Sequence, residues 1–247
     1  VNRAWWLAIG WSSQAAFGLL CLSLMWFLQF DTWLRQANAS IAPLGAALID
    51  ALLVIGFAVP HSILLMPPVR RLMARVMPAQ LQGAVFCWVG CLTLWAMMLL
   101  WQPIGGTVWR LEGAALAAML AVAGLGWLAL GHSMQLAGFG WQTGLTPFQA
   151  WRRGQPDPPR PFRKVSLHRW MRHPIYLSFL IVSWLVPVMT WDRLLLAIGF
   201  SAYCWLGSWV KDRRLSRLVG HPYRAYMAEV PGFPLIGFGP LGRIPLT

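Results

Sequence analysis

Two short segments hold most of the residues that could do chemistry. The first is Arg172-His173-Pro174-Ile175-Tyr176. The second runs from Lys211 and Asp212 through Leu215 and Gly220 to Tyr223 and Tyr226. An arginine at a helix start opposes the helix dipole by about 0.3–1 kcal/mol unless an anion lies close, and Pro174 is a helix-starting residue. A carboxylate held by Arg172 and the first backbone N–H groups of that helix resolves the conflict. Exposure of the arginine on the cytoplasmic side of a membrane resolves it equally. Tyr176, Tyr223 and Tyr226 are three of only four tyrosines in the chain; they can line a pocket, or anchor a tail at lipid headgroups. Gly220 and Pro222 read as a break that turns the tail back over a cavity. Taken together, these residues indicate a buried small-molecule site at one membrane face.

The elements that position them belong to a membrane. Hydrophobic residues make up 58% of the chain and charged residues 11%, and the mean hydropathy is +0.56; no single soluble core hides that much apolar surface. Apolar runs near or above the roughly 20 residues that cross a bilayer occur at 4–30, 41–66, 82–102 and 113–136. A further stretch, 174–210, is interrupted by Pro187 and by Thr190-Trp191-Asp192-Arg193, so it reads as two short spans joined by a tight hairpin. The expected fold is therefore an all-α, polytopic transmembrane helical bundle of six spans. It forms one domain over 1–247, with a loop at 137–173 and a tail at 211–247 that closes the site.

Basic loops stay cytoplasmic during insertion. Arg3, the Arg70/Arg71/Arg75 loop, the loop from Arg152 to Arg172 and the tail from Lys211 onward fall on one side, whereas the loops at 31–40 and 103–112 carry only Arg35 and Arg110 as bases. Both termini, the 137–173 loop and the tail are thus expected in the cytoplasm, and the first apolar run is expected to remain as a span. Positive-inside topology and contact with anionic membrane lipids account for the net charge of +13 without nucleic acid. Cys21, Cys87, Cys91 and Cys204 lie inside spans and read as small packing residues, with no disulfide framework and no metal site. Ionisable groups inside the bilayer are few and costly. They are Asp50 toward the outer face and His61, His132 and His173 toward the cytoplasmic leaflet, where the histidines can share a cavity or each simply pack.

The pair Arg-His-Pro-x-Tyr and Glu-Glu-x-x-Leu-(x3)-Phe-Gly-x-x-Tyr-x-x-Tyr is the signature of the isoprenylcysteine carboxyl methyltransferase superfamily. Arg172, His173, Pro174, Tyr176, Leu215, Gly220, Tyr223 and Tyr226 resemble it in register. Upstream, Pro60-His61-Ser62, Trp101-Gln102-Pro103-Ile104-Gly105-Gly106 and Pro187-Val188-Met189-Thr190 resemble its nurim/NnrU-like branch, which includes the methanethiol S-methyltransferases. The resemblance covers roughly 55–235. It implies S-adenosylmethionine at the cytoplasmic face and a small thiol or other apolar acceptor arriving from the bilayer, with the reacting atoms held in line. It assigns Arg172 and His173 to the methionine carboxylate and the catalytic pocket. Tyr176, Tyr223 and Tyr226 go to the adenosyl pocket and Asp212 to the ammonium group. Three positions depart from the pattern: Lys211-Asp212 stands for Glu-Glu, Val219 for phenylalanine and Ser178 for glycine.

Two other readings follow from the same residues. NnrU-like proteins related to 15-cis-zeta-carotene isomerase imply haem b, with His61 and His132 as axial ligands. A chain that has lost its chemistry implies a structural subunit of a larger membrane complex. In each case the expected location is the bacterial cytoplasmic, or inner, membrane.

Overall fold

The structure, a computed structural model, describes residues 3–30, 41–157, 159 and 164–245. The expected outer loop at 31–40, with Arg35, and Pro158 and residues 160–163 of the expected 137–173 loop lie outside the described residues.

Five helices are long and apolar enough to cross a membrane: α1 (Arg3–Gln29), α2 (Pro43–Ile63), α4 (Gln82–Leu100), α5 (Gly113–Leu136) and α9 (Trp191–Leu218). At 1.5 Å per residue the 27 residues of α1 rise about 40 Å, more than the roughly 30 Å hydrocarbon core. Between these lie α3 (Pro67–Met73), α6 (Phe139–Gln142), α7 (Leu145–Arg152), α8 (Pro174–Trp184) and, after α9, α10 (His221–Glu229). Proline opens α2, α3, α8 and α10, at positions where its missing N–H costs nothing. The structure is the expected all-α, polytopic bundle. Its only strands among the described residues are β1 (Thr107–Arg110) and β2 (Val188–Thr190), paired antiparallel with Thr107 opposite Thr190 and Arg110 opposite Val188.

The last pair of spans differs from the expected short hairpin. α8 has only 11 residues, whereas α9 has 28. Trp191-Asp192-Arg193 is not the turn but the first turn of α9, where Asp192 suits the positive end of the helix dipole. The reversal falls instead on 185–190, where Pro187 excludes helix and β2 forms.

The chain divides into two compact units. The first comprises Val1–Leu111, Ala137–Pro159 and Pro187–Leu196. In it α4 packs on both α1 and α2, and Trp6, Leu81 and Phe148 form a buried cluster. Glycine permits the closest approaches: a Cβ on Gly10 would fall within 2.2 Å of the Phe148 ring, and one on Gly83 within 2.7 Å of the Gly144 Cα. The second unit comprises Glu112–Leu136, Arg160–Val186 and Ala197–Thr247. Here α5 packs along α8, with Gly126 facing Ile181 and Val182 so closely that a Cβ would stand 2.8 Å from Ile181 Cγ2. Tyr223, Tyr226, Met227 and Val230 form a second cluster against Leu215 and Val219.

Candidate active site

The site residues of the second unit assemble around one carboxylate. His173 is the residue before the proline that starts α8. Its backbone N–H and that of Arg172 donate to the carbonyls of Gly232 (3.2 Å) and Pro231 (2.9 Å), which ties the start of α8 to the tail. Asp212 projects from α9, and Gly220, at φ +75°, breaks the chain between α9 and α10 so that Tyr223 returns to it.

Arg172 is 1% exposed, His173 0% and Asp212 2%. Asp212 Oδ2 accepts from Arg172 Nε (3.0 Å), Arg172 Nη2 (2.8 Å) and His173 Nε2 (3.1 Å), and Oδ1 accepts from the Tyr223 hydroxyl (2.5 Å). The remaining guanidinium hydrogens reach tail carbonyls. Nη1 donates to Val230 (2.5 Å), Gly242 (2.9 Å) and Met227 (3.3 Å), and Nη2 to Pro240 (3.2 Å). All five N–H donors of the arginine thus have acceptors inside the chain. The anion expected near Arg172 is Asp212, 40 residues on.

Asp212, paired with Arg172, is an acceptor, so the hydrogen on His173 Nε2 points at it and Nδ1 carries the lone pair. That Nδ1 is buried with no partner among the described residues. Burial lowers the His173 pKa to about 4; the bond to Asp212 opposes the shift and the charge of Lys211 adds to it. His168 is likewise lowered to about 4, by burial and then by Lys211. Burial also raises the phenols of Tyr223 and Tyr226 above their ordinary range, so both remain protonated donors.

Tyr223 and Tyr226 are buried, not interfacial, and the Tyr226 hydroxyl donates to the His168 carbonyl at 2.6 Å. Tyr176 lies 5.7 Å and Phe233 5.9 Å from the His173 ring, centroid to centroid, and Lys211 Nζ sits 5.6 Å from the centre of the Tyr176 ring. On the rim, Lys164 pairs with Glu229. The structure therefore gathers Arg172, His173, Tyr176, Asp212, Tyr223 and Tyr226. Sequence reasoning missed the tail carbonyls and Phe233; the recurrence of Gly and Pro from Pro231 to Gly242 was the available sign of an ordered loop.

The other residues singled out lie elsewhere. In the first unit His61 sits beside the rings of Phe57 and Phe86, at 5.1 and 4.6 Å. In the second, His132 Nε2 lies 3.1 Å from Ser166 Oγ. Asp50 Oδ1 accepts from the Gln102 N–H at 2.8 Å. The Trp101 to Gly106 motif lines a cavity of about 180 Å³ together with Arg110, Thr190, Asp192 and Arg193, and the Trp101 indole donates to Asp192 at 3.0 Å. Among the described residues no group of three or more His, Cys, Asp or Glu could hold a metal ion.

Comparison with known proteins agrees with the motif. A methanethiol S-methyltransferase from a Pseudomonas strain is 33% identical over 187 residues, covering 75% of this chain and 72% of the relative. One from Mycobacterium tuberculosis is 31% identical over 196 residues, covering 78% and 80%. Nurim from Xenopus laevis is 29% identical over 164 residues, covering 63% and 57%. No family model and no solved structure matches. Identity at this level and coverage, together with motif positions that converge on one buried carboxylate, mean that the chain belongs to the nurim-like family of the methanethiol S-methyltransferases, which resembles the isoprenylcysteine carboxyl methyltransferases.

Proposed function

We propose that this protein is a membrane-embedded methyltransferase that uses S-adenosylmethionine to methylate a small thiol. The observation that carries the reading is the imidazole of His173, oriented by Asp212 and presenting a buried, unpartnered Nδ1 at the motif position. The names of the relatives support the reaction class.

When bound, S-adenosylmethionine supplies an electrophilic methyl group on a sulfonium sulfur. The residues fit such a cation, because the rings of Tyr176 and Phe233 flank His173 and aromatic faces attract cations. These two side chains would hold the cofactor. Lys211, beside Tyr176, would pair with the methionine carboxylate. Arg172 cannot take that role while its donors serve Asp212 and the tail; it positions the site, as Tyr223 and Tyr226 do. Asp212 fixes both Arg172 and His173.

His173 acts as general base. Its Nε2–H stays on Asp212 while Nδ1, kept neutral by burial, takes the thiol proton as the sulfur is alkylated and turns acidic. The thiol sulfur would be the nucleophile for the methyl group that a cofactor held by Tyr176, Phe233 and Lys211 would supply. The Asp212 carboxylate, 3.1 Å from Nε2, offsets the imidazolium charge, as an orienting acid does in hydrolytic triads. Gly232 packs against the imidazole so closely that a Cβ there would stand 3.3 Å from Cδ2, so the tail keeps water from the ring.

The test is dimethyl sulfide formation from methanethiol and S-adenosylmethionine by the purified protein. A general base typically contributes about 10²–10⁴-fold, so His173→Gln, folded, is expected to lose activity by that factor. Lys211→Ala is expected to raise KM for the cofactor with a smaller effect on kcat. A folded wild-type protein that neither binds S-adenosylmethionine nor forms dimethyl sulfide would overturn the proposal.

A further inference from the structure

The loop that follows α10 has an inside and an outside. Its ends are closed by Gly232 N–H to the Leu241 carbonyl (2.7 Å) and Phe233 N–H to the same oxygen (3.3 Å). Arg172 pins it by the carbonyls of Val230, Pro240 and Gly242. Phe233 and Leu241 are buried beneath it. On its outer side Leu235 is 104% exposed and Phe238 84%. Leu235 also has φ +68°, a left-handed conformation that side chains with a Cβ disfavour. A strained leucine and a phenylalanine, both fully outward on a loop this firmly closed, are an arrangement that water does not favour.

The surroundings indicate what covers them. The loop follows a helix long and apolar enough to span the membrane, with only α10 between. Between residues 211 and 243 the chain carries six lysines and arginines against two acids. Both acids are already engaged, Asp212 by Arg172 and Glu229 by Lys164. Apolar side chains on a stretch whose cations outnumber its acids six to two match a bilayer surface, where acyl chains take the former and anionic headgroups the latter.

We propose that the loop 232–241 is a lipid-inserting finger: Leu235 and Phe238 enter the acyl boundary of the bilayer while the neighbouring cations meet anionic headgroups. The Arg172 cluster is thereby moored to the membrane through its own tail. The inference stands whether or not the site transfers methyl groups.

Spin labels at Leu235→Cys and, separately, Phe238→Cys test it, in a Cys21→Ser background because Cys21 is the exposed thiol. The full chain is placed in nanodiscs containing phosphatidylglycerol, and depth is calibrated with headgroup-labelled and acyl-labelled lipids. Gel filtration and thermal unfolding identify the folded variants, and either label alone suffices. The expected result is relaxation by oxygen and protection from a nickel chelate, as for labels below the headgroups. Free access of the nickel chelate would overturn the proposal. So would exclusion of both reagents with dipolar broadening between labels, which would put a second copy of the chain on the loop.

Discussion

Arg172 and Asp212 are each the other's main counter-charge in a place water does not reach, and removing either leaves an uncompensated charge and several orphaned groups. Loss of one partner of such a pair costs about 3–5 kcal/mol. Arg172→Met is therefore expected to lower the unfolding temperature in detergent steeply. Arg172→Lys restores the charge but offers three donors on one nitrogen, and should recover only part of the loss; unchanged melting in both variants would sink the clamp assignment. His173 adds a pH dependence. Above pH 6.5 the imidazole is neutral in folded and unfolded chains alike. As pH falls from about 6.5 toward about 4, the unfolded chain takes up a proton that the folded chain refuses. Stability is thus full at neutral pH and declines across that window, by on the order of 3 kcal/mol if fully expressed. His173→Gln should flatten the decline in a series of melts, with His168 contributing the remainder. At this scale the sequence named the participants but not their partners. Arg172 called for an anion, yet nothing local says that it is Asp212 rather than a ligand, and Tyr223 and Tyr226 look the same in sequence whether they face headgroups or a buried carboxylate.

Helices bring these residues together, and glycine decides how closely. Gly144 has φ +77° and would set a Cβ 2.3 Å from the Gly83 carbonyl carbon, so the obstacle is backbone and cannot swing aside. Combining overpacking with the left-handed penalty, Gly144→Ala is expected to cost about 3 kcal/mol, read as a lower unfolding temperature. Gly113→Ala, where a Cβ meets nothing within 4 Å although φ is +55°, should cost only the smaller backbone term. A similar loss in both would mean that close approach is irrelevant at Gly144. Hydropathy disclosed α1, α2, α4 and α5 almost to their ends, because long apolar runs have few alternatives to helix. It could not disclose β1 and β2, which are short and pair across 83 residues from Thr107 to Thr190. Nor did it foresee that Asp192 and Arg193 begin a helix, since a polar pair between apolar runs reads first as a turn.

For the whole chain, five helices are long and apolar enough to cross and α8 is a shorter apolar helix. Eleven residues of α8 rise about 16 Å, roughly half the hydrocarbon thickness. α8 therefore needs the residues that follow it to complete a crossing, whereas each of the five longer helices suffices alone. Six crossings would keep both ends of the chain on one side, and the positive-inside rule predicts that side to be the cytoplasm. A C-terminal green fluorescent protein fusion should fluoresce and an alkaline phosphatase fusion should be inactive; the opposite pattern would mean five crossings. The class of the molecule was legible from composition alone, because a bilayer imposes length and apolarity on every span. The contacts of the Arg172 clamp were not, because they depend on distant carbonyls that every sequence possesses. That distance has a consequence for biosynthesis. Arg172 and the Gly242 carbonyl are 70 residues apart, and translation at about 5–20 residues per second separates them by several seconds. During that interval the guanidinium has been made but its full set of acceptors has not, so the nascent chain must hold a charged side chain at the membrane until its own tail arrives.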